Sequence, residues 1–236
     1  MRRIFTVAAA AVAISALAIP AASASTHHAR PNATPACGIN CFDLSSLELG
    51  HTQVLNAYVP GDTGIGGKAG QKVNLHYGSD SHPNEDFTGA QVGTLLDFCP
   101  NFGGTGLSAT SYACINYPKT YPVFEADWSP FGNQSDLCVG AAEPITAGEN
   151  TTLQQCGDEA STLWVGDLHH AFPVPPTGVI PWVNGASTTF SHPLVLTVDP
   201  GSRNPANQVK LQTENLLTGG ALENAQEWRI TFGPIF

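Results

Sequence analysis

Two pairs of acidic residues lie close together along this chain. Glu125 and Asp127 are separated by one residue, and Glu85 directly precedes Asp86. Hydrolysis of a glycosidic bond needs two carboxyl groups a few ångströms apart, so each pair is a candidate catalytic site. Residues i and i+2 of any strand share one face, and we therefore interpret Glu125 and Asp127 as the solvated face of a strand. We assign no catalytic residue and retain a secreted, carboxylate-dependent glycoside hydrolase as an alternative function.

Histidines offer a second kind of chemistry. The run Asp167-Leu168-His169-His170 places one acid beside two imidazoles, the donor types of a metal or acid–base site. Neighbouring residues of a strand point to opposite faces, so the two imidazoles do not easily reach one ion. We interpret them as surface histidines and predict no metal site and no cofactor.

Six cysteines are the third reactive set, and their even number in an exported chain predicts a disulfide framework. Spacing alone does not choose among the possible pairings, although sequential pairing would close three short loops. The chain contains no Gly-x-Ser-x-Gly, no His-Glu-x-x-His and no dinucleotide-binding glycine motif. The predicted disulfide residues are Cys37, Cys41, Cys99, Cys114, Cys138 and Cys156.

The amino terminus predicts export. Two arginines precede an apolar run over residues 7–19, and Ala22-Ser23-Ala24 fits the small-x-small cleavage rule. The run is shorter than the roughly 20 residues of a membrane span. We predict a signal peptide over 1–24, a flexible arm over 25–36 and a secreted product. Cleavage after Ala24 would create the terminus Ser25-Thr26-His27, whose nitrogens are competent to bind Cu²⁺, and copper binding stays an open question.

Composition limits the partners. Charged residues make up 12% of the chain, hydrophobic residues 42%, and the net charge is −10. A nucleic-acid-binding protein needs clustered cations to displace counterions from phosphates, so we predict no nucleic-acid partner. We also predict no membrane span, and the sequence does not indicate the oligomeric state.

Short apolar runs separated by turn residues predict an all-β fold. We expect one domain over 37–236, because no long helical pattern interrupts these runs. The predicted strands include 54–59, 73–77, 95–98, 194–198, 209–211 and 228–232.

A weak internal repeat sharpens the fold prediction. Cys138 to Leu153 and Leu196 to Leu211 both span 15 residues, and a tryptophan follows each pair. Three copies of such a unit, at about 43–98, 121–168 and 190–236, suggest a threefold β architecture whose units share one core. A β-sandwich is the alternative, since it also produces short strands and frequent turns.

At these residues the sequence resembles the ricin-type β-trefoil lectins, whose repeats carry a Cys-Leu-Asp-Val-like strand, a Gln-Leu-Trp-x-Cys strand and a Gln-x-Trp signature. The resemblance implies a diverged β-trefoil with long loops, a Cys138–Cys156 disulfide and tryptophans that belong to the core. It spans residues 121–236 and extends weakly to 43–98. The matching residues are Cys138, Leu153, Cys156 and Trp164 in the second copy, and Leu211, Gln226 and Trp228 in the third.

The family's sugar-binding residues are mostly replaced. The aspartate position falls on Gly140 in the second copy and on Val198 in the third, where Asp199 follows one residue later. Only the signature glutamine of the third copy, Gln226, is retained. If a ligand site survives, the resemblance implies that it includes Asp199 and Gln226.

The leading prediction is a secreted, disulfide-stabilised, non-catalytic binding module for a glycan or a cell-surface ligand. The alternatives are the glycoside hydrolase and a secreted inhibitor or protein-interaction module. For the last of these, exposed loops such as 60–70 or 99–114 would form the contact surface.

Overall fold

The computed structural model describes residues 41–49, 53–60, 65, 67–77, 83–157, 160–170, 179–188, 191–202, 204, 208–217 and 222–232. The predicted signal peptide over 1–24, the predicted arm over 25–36, the Ser25-Thr26-His27 terminus and Cys37 lie outside these residues.

Thirteen strands occur in the described residues, and they form three successive units. The first unit contains β1 (Cys41–Ser46), β2 (Gln53–Ala57), β3 (Val73–Tyr77) and β4 (Phe87–Thr94). The second contains β5 (Pro122–Trp128), β6 (Leu137–Gly140), β7 (Thr152–Gln155) and β8 (Trp164–Gly166). The third contains β9 (Val179–Ile180), β10 (Trp182–Asn184), β11 (Leu194–Val198), β12 (Val209–Thr213) and β13 (Trp228–Phe232).

The first and last strands of each unit form a closed antiparallel ring. Its neighbours are β1 with β4, β4 with β5, β5 with β8, β8 with β10, β9 with β13, and β13 with β1. Pro181 has no N–H to donate and separates β9 from β10, which share one place in the ring. The remaining strands form the hairpins β2–β3, β6–β7 and β11–β12. This pairing is that of the predicted β-trefoil, and because the sheet closes on itself the molecule is not a β-sandwich.

Backbone hydrogen bonds join the three hairpins. The N–H of Leu153 in β7 donates to the carbonyl of Gln71, just before β3, at 2.7 Å. The N–H of Thr151 donates to the carbonyl of Val209 in β12 at 3.1 Å. The hairpins therefore hold one another in place, as units that share a core must.

The tryptophans of the second and third units occupy equivalent positions. Trp164 begins β8 and Trp228 begins β13, and both are fully buried. The indole N–H of Trp164 donates to the carbonyl of Val139 at 2.8 Å, and that of Trp228 donates to the carbonyl of Leu196 at 2.9 Å. Phe87, also fully buried, begins the corresponding strand of the first unit. The structure confirms the prediction that both tryptophans belong to the core.

The repeat alignment drawn from the 15-residue spacing is one residue off in the first hairpin strand. Val139 pairs with Leu153 in the second unit, and Leu196 pairs with Leu211 in the third. Val139, rather than Cys138, is thus the counterpart of Leu196, because the second hairpin is one residue shorter. Gly140 then corresponds to Thr197 and not to Val198.

Residues 95–121 form an insertion that covers the outer face of the ring. It contains α1 (Leu95–Phe98) and α2 (Tyr112–Asn116). Apolar side chains of this insertion form a second buried cluster with outward-facing valines of the ring, which include Val123, Val165 and Val183. Strand residues alternate between the two faces of a sheet. Trp164 therefore belongs to the main core cluster, whereas the adjacent Val165 belongs to the cluster that the insertion covers. The ring strands beneath the insertion are apolar on both faces because each face packs against a buried cluster.

The predicted strand at 95–98 is wrong, since Leu95–Phe98 is a helical turn. The carboxylate of Asp97 accepts hydrogen bonds from the N–H of Thr94 at 2.8 Å and from its hydroxyl at 3.0 Å. A carboxylate at this position that reaches back to the residue before the helix stabilises a helix start, and this local effect overrides the apolar pattern.

Two of the sequential cysteine pairs are disulfides. Cys99 bonds to Cys114 within the insertion, and Cys138 bonds to Cys156 across the end of the second hairpin. The second of these is the pairing that the lectin resemblance implies. Cys41 is also disulfide-bonded.

Candidate functional site

A cleft of about 600 Å³ opens in the third unit, beside the β11–β12 hairpin. Val198 and Asp199, at the end of β11, form one wall together with Lys210 of β12. The segment that precedes β13 also lines the cleft, through residues that include Glu223 and Asn224.

Asp199 is held in place by the hairpin. Its N–H donates to the carbonyl of Gln208 at 2.7 Å, which extends the β11–β12 pairing by one residue. The ammonium of Lys210 donates to its carboxylate at 2.8 Å. This hydrogen bond lowers the pKa of Asp199 below its ordinary value. The pair presents one ionised carboxylate and one ammonium at the cleft wall.

Gln226 lies behind the cleft wall and does not line it. Its side-chain oxygen accepts from the N–H of Asn215 at 2.8 Å, and its side-chain nitrogen donates to the carbonyl of Thr213 at 2.9 Å. The residue is 1% exposed. Gln226 therefore fixes the chain that leaves β12 against the segment containing Asn224 and Ala225, both of which line the cleft.

The lining combines polar groups with a small apolar surface. Val198, Pro200 and Leu217 contribute apolar atoms. Glu48 and Glu223 bring two carboxylates in addition to the Asp199–Lys210 pair, so negative charge exceeds positive among the described lining residues. Several hydrogen-bonding groups beside an apolar wall are what a small polyhydroxylated ligand requires.

At the equivalent place in the second unit, the unit's own groups contact one another. A Cβ on Gly140 would lie 2.8 Å from the carbonyl oxygen of Ser161, so the two backbones are in close contact. Gln154 donates to the hydroxyl of Thr152 at 2.6 Å, so these two polar residues satisfy each other.

The acidic pairs named from the sequence have other partners in the structure. Glu125 accepts hydrogen bonds from Thr162 and from the N–H of Gly157. Asp127 accepts from the N–H of Ser135 at 3.2 Å, and burial is the main cause that raises its pKa. Each carboxylate ties a loop to β5.

The two carboxylates of the second pair, Glu85 and Asp86, also have different partners. Glu85 contacts His76 at 2.8 Å, and Asp86 accepts from the N–H of Phe131 at 3.0 Å.

A cluster of ionisable groups forms between the second and third units. His169 is exposed, whereas the side chain of His170 is only 26% exposed and its Nδ1 lies 2.6 Å from Asp167. Glu214, at the end of β12, lies 3.4 Å from the same nitrogen. The i,i+3 spacing of Asp167 and His170 is a sequence signal for the first contact, but no sequence signal connects either residue to Glu214.

No helix in the described part of the chain is long and apolar enough to cross a membrane.

Comparison with known proteins gives distant structural likenesses. No family model matches the chain. No curated protein matches it either. The designed three-fold symmetric protein ThreeFoil is 12% identical, with a TM-score of 0.47, and the match covers 81% of this chain and 98% of that one.

Two toxin structures are also similar. A mosquitocidal holotoxin is 11% identical with a TM-score of 0.48, and the match covers 82% of this chain but only 17% of the holotoxin chain. The Haemophilus ducreyi cytolethal distending toxin is 12% identical with a TM-score of 0.44, covering 88% of this chain and 90% of that one. The trefoil fold of this protein rests on its own strand pairing.

Proposed function

We propose that this protein is a secreted, non-catalytic binding module whose third unit binds a neutral glycan, either free or on a cell surface. The cleft beside Asp199 is the observation that supports this most directly. It joins a fixed carboxylate–ammonium pair to amide groups and a small apolar wall, the combination that orients a sugar ring. Kinship with the ricin-type lectins is part of the same proposal.

The charge of the cleft narrows the ligand class. Glu48, Asp199 and Glu223 outnumber Lys210 among the described lining residues. A sialylated, sulfated or uronic acid glycan would bring like charges together, which is unfavourable. We therefore propose a neutral hexose as the group that enters the cleft.

Extracellular disulfides fit this role. Disulfides such as Cys99–Cys114 and Cys138–Cys156 persist in an oxidising compartment. The predicted signal peptide would deliver the protein to such a compartment. An acidic sequence without a basic cluster also fits a soluble ligand or an uncharged surface better than a polyanion.

A glycan array probed with the purified, oxidised protein tests the proposal, followed by calorimetry on the best ligand. Asp199→Ala should lower the affinity at least tenfold, because a buried sugar hydroxyl would lose its acceptor. Gln154→Ala in the second unit is the matched control and should bind as the wild type does. Absence of binding to every neutral glycan, or full affinity in Asp199→Ala, would refute a sugar site in this cleft.

Acidic glycans on the same array test the ligand class. We expect each sialylated glycan to bind more weakly than its neutral parent. The opposite order would show that the acidic lining does not govern selection.

A further inference from the structure

We propose that Asp167, His170 and Glu214 form a binding site for a divalent metal ion with the preferences of Zn²⁺. This site is separate from the sugar cleft and independent of the proposed function. None of its three residues lines that cleft.

The three donor atoms are brought together by rigid backbone. Asp167 directly follows β8, and its N–H donates to the carbonyl of Pro181 at 3.1 Å. Glu214 directly follows β12, and its N–H donates to the carbonyl of Pro193 at 2.8 Å. The donor atoms of Asp167, His170 and Glu214 all lie within 4.8 Å of one another. One ion can therefore contact all three.

The environment of Glu214 is the strongest evidence for a bound cation at this cluster. Its side chain is 3% exposed, and its Oε1 accepts no hydrogen bond from the described residues. The single Nδ1 proton of His170 is best placed for Asp167 at 2.6 Å, with Glu214 farther away at 3.4 Å. A buried carboxylate oxygen that accepts no hydrogen bond is costly. A cation bound between the three side chains would remove that cost.

Asp167 is prepared for ligation by other hydrogen bonds. The hydroxyl of Tyr117 donates to its Oδ2 at 2.9 Å, and the N–H of His169 donates to its Oδ1 at 2.8 Å. Hydrogen bonds of this kind orient metal-binding carboxylates in known sites. Tyr117 belongs to the disulfide-bonded insertion, so a metal here would join the insertion to the second and third units.

Donor chemistry and spacing favour Zn²⁺. One imidazole nitrogen and two carboxylate oxygens suit Zn²⁺, whose bonds of about 2.0–2.2 Å place tetrahedral ligands roughly 3.3 Å apart. The His170–Glu214 distance already has this value at 3.4 Å. The His170–Asp167 distance of 2.6 Å must widen by roughly 0.7 Å once a metal replaces the shared proton. Ca²⁺ needs six or more oxygens and should bind poorly.

The fourth ligand position would be open. His170 is partly exposed, at 26% of its side chain, so solvent can reach the site. Three protein ligands and one water are the arrangement of zinc sites that keep an exchangeable position.

Calorimetric titration of ZnCl₂ into the secreted protein, after treatment with a chelator and dialysis, tests the proposal. His27→Gln is introduced in every sample, because the amino terminus contains another possible metal ligand. We expect one saturable site and a melting temperature that rises with Zn²⁺ concentration. CaCl₂ should produce neither effect.

Two site variants and one control locate the ion. Glu214→Gln and His170→Gln should each weaken Zn²⁺ binding at least tenfold. His76→Gln should leave it unchanged, because His76 lies beside Glu85 and does not belong to the cluster of Asp167, His170 and Glu214. Glu214→Gln keeps the side-chain shape and removes a carboxyl group whose pKa is raised by burial. The metal-free variant should therefore melt no lower than the metal-free wild type.

Three results would overturn the proposal. They are the absence of saturable Zn²⁺ binding by the folded wild type, unchanged binding in both site variants, and Ca²⁺ binding as tight as Zn²⁺ binding. Circular dichroism of each variant ensures that lost binding is not lost folding.

Discussion

The second and third units of this trefoil share a core and differ at the surface. In both, a buried tryptophan at the start of the last strand donates to a carbonyl of the first hairpin strand. At the hairpin surface, the second unit has a disulfide and the close contact between Gly140 and Ser161. The third has Asp199, Lys210 and an open cleft. The core features are thus repeated in both units, whereas the cleft that we propose as the glycan site is lined by the hairpin of the third unit.

The largest expected effect comes from the shared core. Trp164→Ala and Trp228→Ala should each destabilise the protein by about 3–5 kcal/mol, because each leaves a large cavity in a fully buried site. Guanidinium unfolding monitored by circular dichroism measures both. Losses that differ by more than about 2 kcal/mol would show that the two positions are not energetically equivalent.

Removing the disulfide of the second unit should be the next largest effect. Cys138→Ser with Cys156→Ser opens a loop with a sequence separation of 18 residues, and we expect a loss of about 3 kcal/mol from the greater freedom of the unfolded chain. Denaturant unfolding checks this, and the proposed sugar binding by the third unit should persist at temperatures where the variant stays folded. If sugar binding disappears while the fold is intact, the two units are coupled more closely than their surfaces indicate.

Gln226→Ala should lower the stability of the third unit by removing buried hydrogen bonds. The change leaves the N–H of Asn215 and the carbonyl of Thr213 without their side-chain partner. We expect a loss of about 1–3 kcal/mol and a lower glycan affinity, although Gln226 does not line the cleft.

Unfolding and glycan titration of the same Gln226→Ala sample separate the two effects. Gln154→Ala serves as the control in the second unit, where the side chain bonds only to Thr152 among the described contacts. Unchanged glycan affinity in Gln226→Ala would argue against a positioning role for Gln226.

The smallest effect concerns the Asp199–Lys210 pair. The hydrogen bond from Lys210 lowers the pKa of Asp199 in the folded protein, so the pair contributes stability above the ordinary aspartate pKa and loses it as the pH falls through the lowered value. The side chain of Asp199 is 38% exposed, and solvent screening limits the contribution to a few tenths of a kcal/mol. NMR titration should show the pKa of Asp199 returning toward its ordinary value in Lys210→Met, and no change would mean that Lys210 does not set it.

Much of the fold could be predicted from the chain. Alternating runs such as 194–198 and 228–232 form strands β11 and β13 because their residues have to face both a core and another surface. The repeat spacing located equivalent hairpins, but it aligned Cys138 with Leu196 because a one-residue difference in loop length is invisible without the strand register. The helical turn at Leu95–Phe98 was missed because one carboxylate at Asp97 outweighs an apolar pattern.

The candidate sites were less accessible to prediction. The resemblance to the lectin repeats pointed to both residues, to Asp199 through the aspartate that follows the first strand of a repeat and to Gln226 through the Gln-x-Trp pattern. The separation of their roles, one at the cleft and one behind it, depends on the contact between Gln226 and the residues that follow β12.

Local sequence pattern by itself determined that this chain forms short strands in three related units with inward-facing aromatic residues, since strand periodicity and burial are properties of neighbouring residues. The tertiary structure alone decided that Asp167, His170 and Glu214 converge, and that Asp199 lines a cleft while Gln226 is buried. Those outcomes depend on contacts between residues dozens of positions apart, which exist only once the ring has closed.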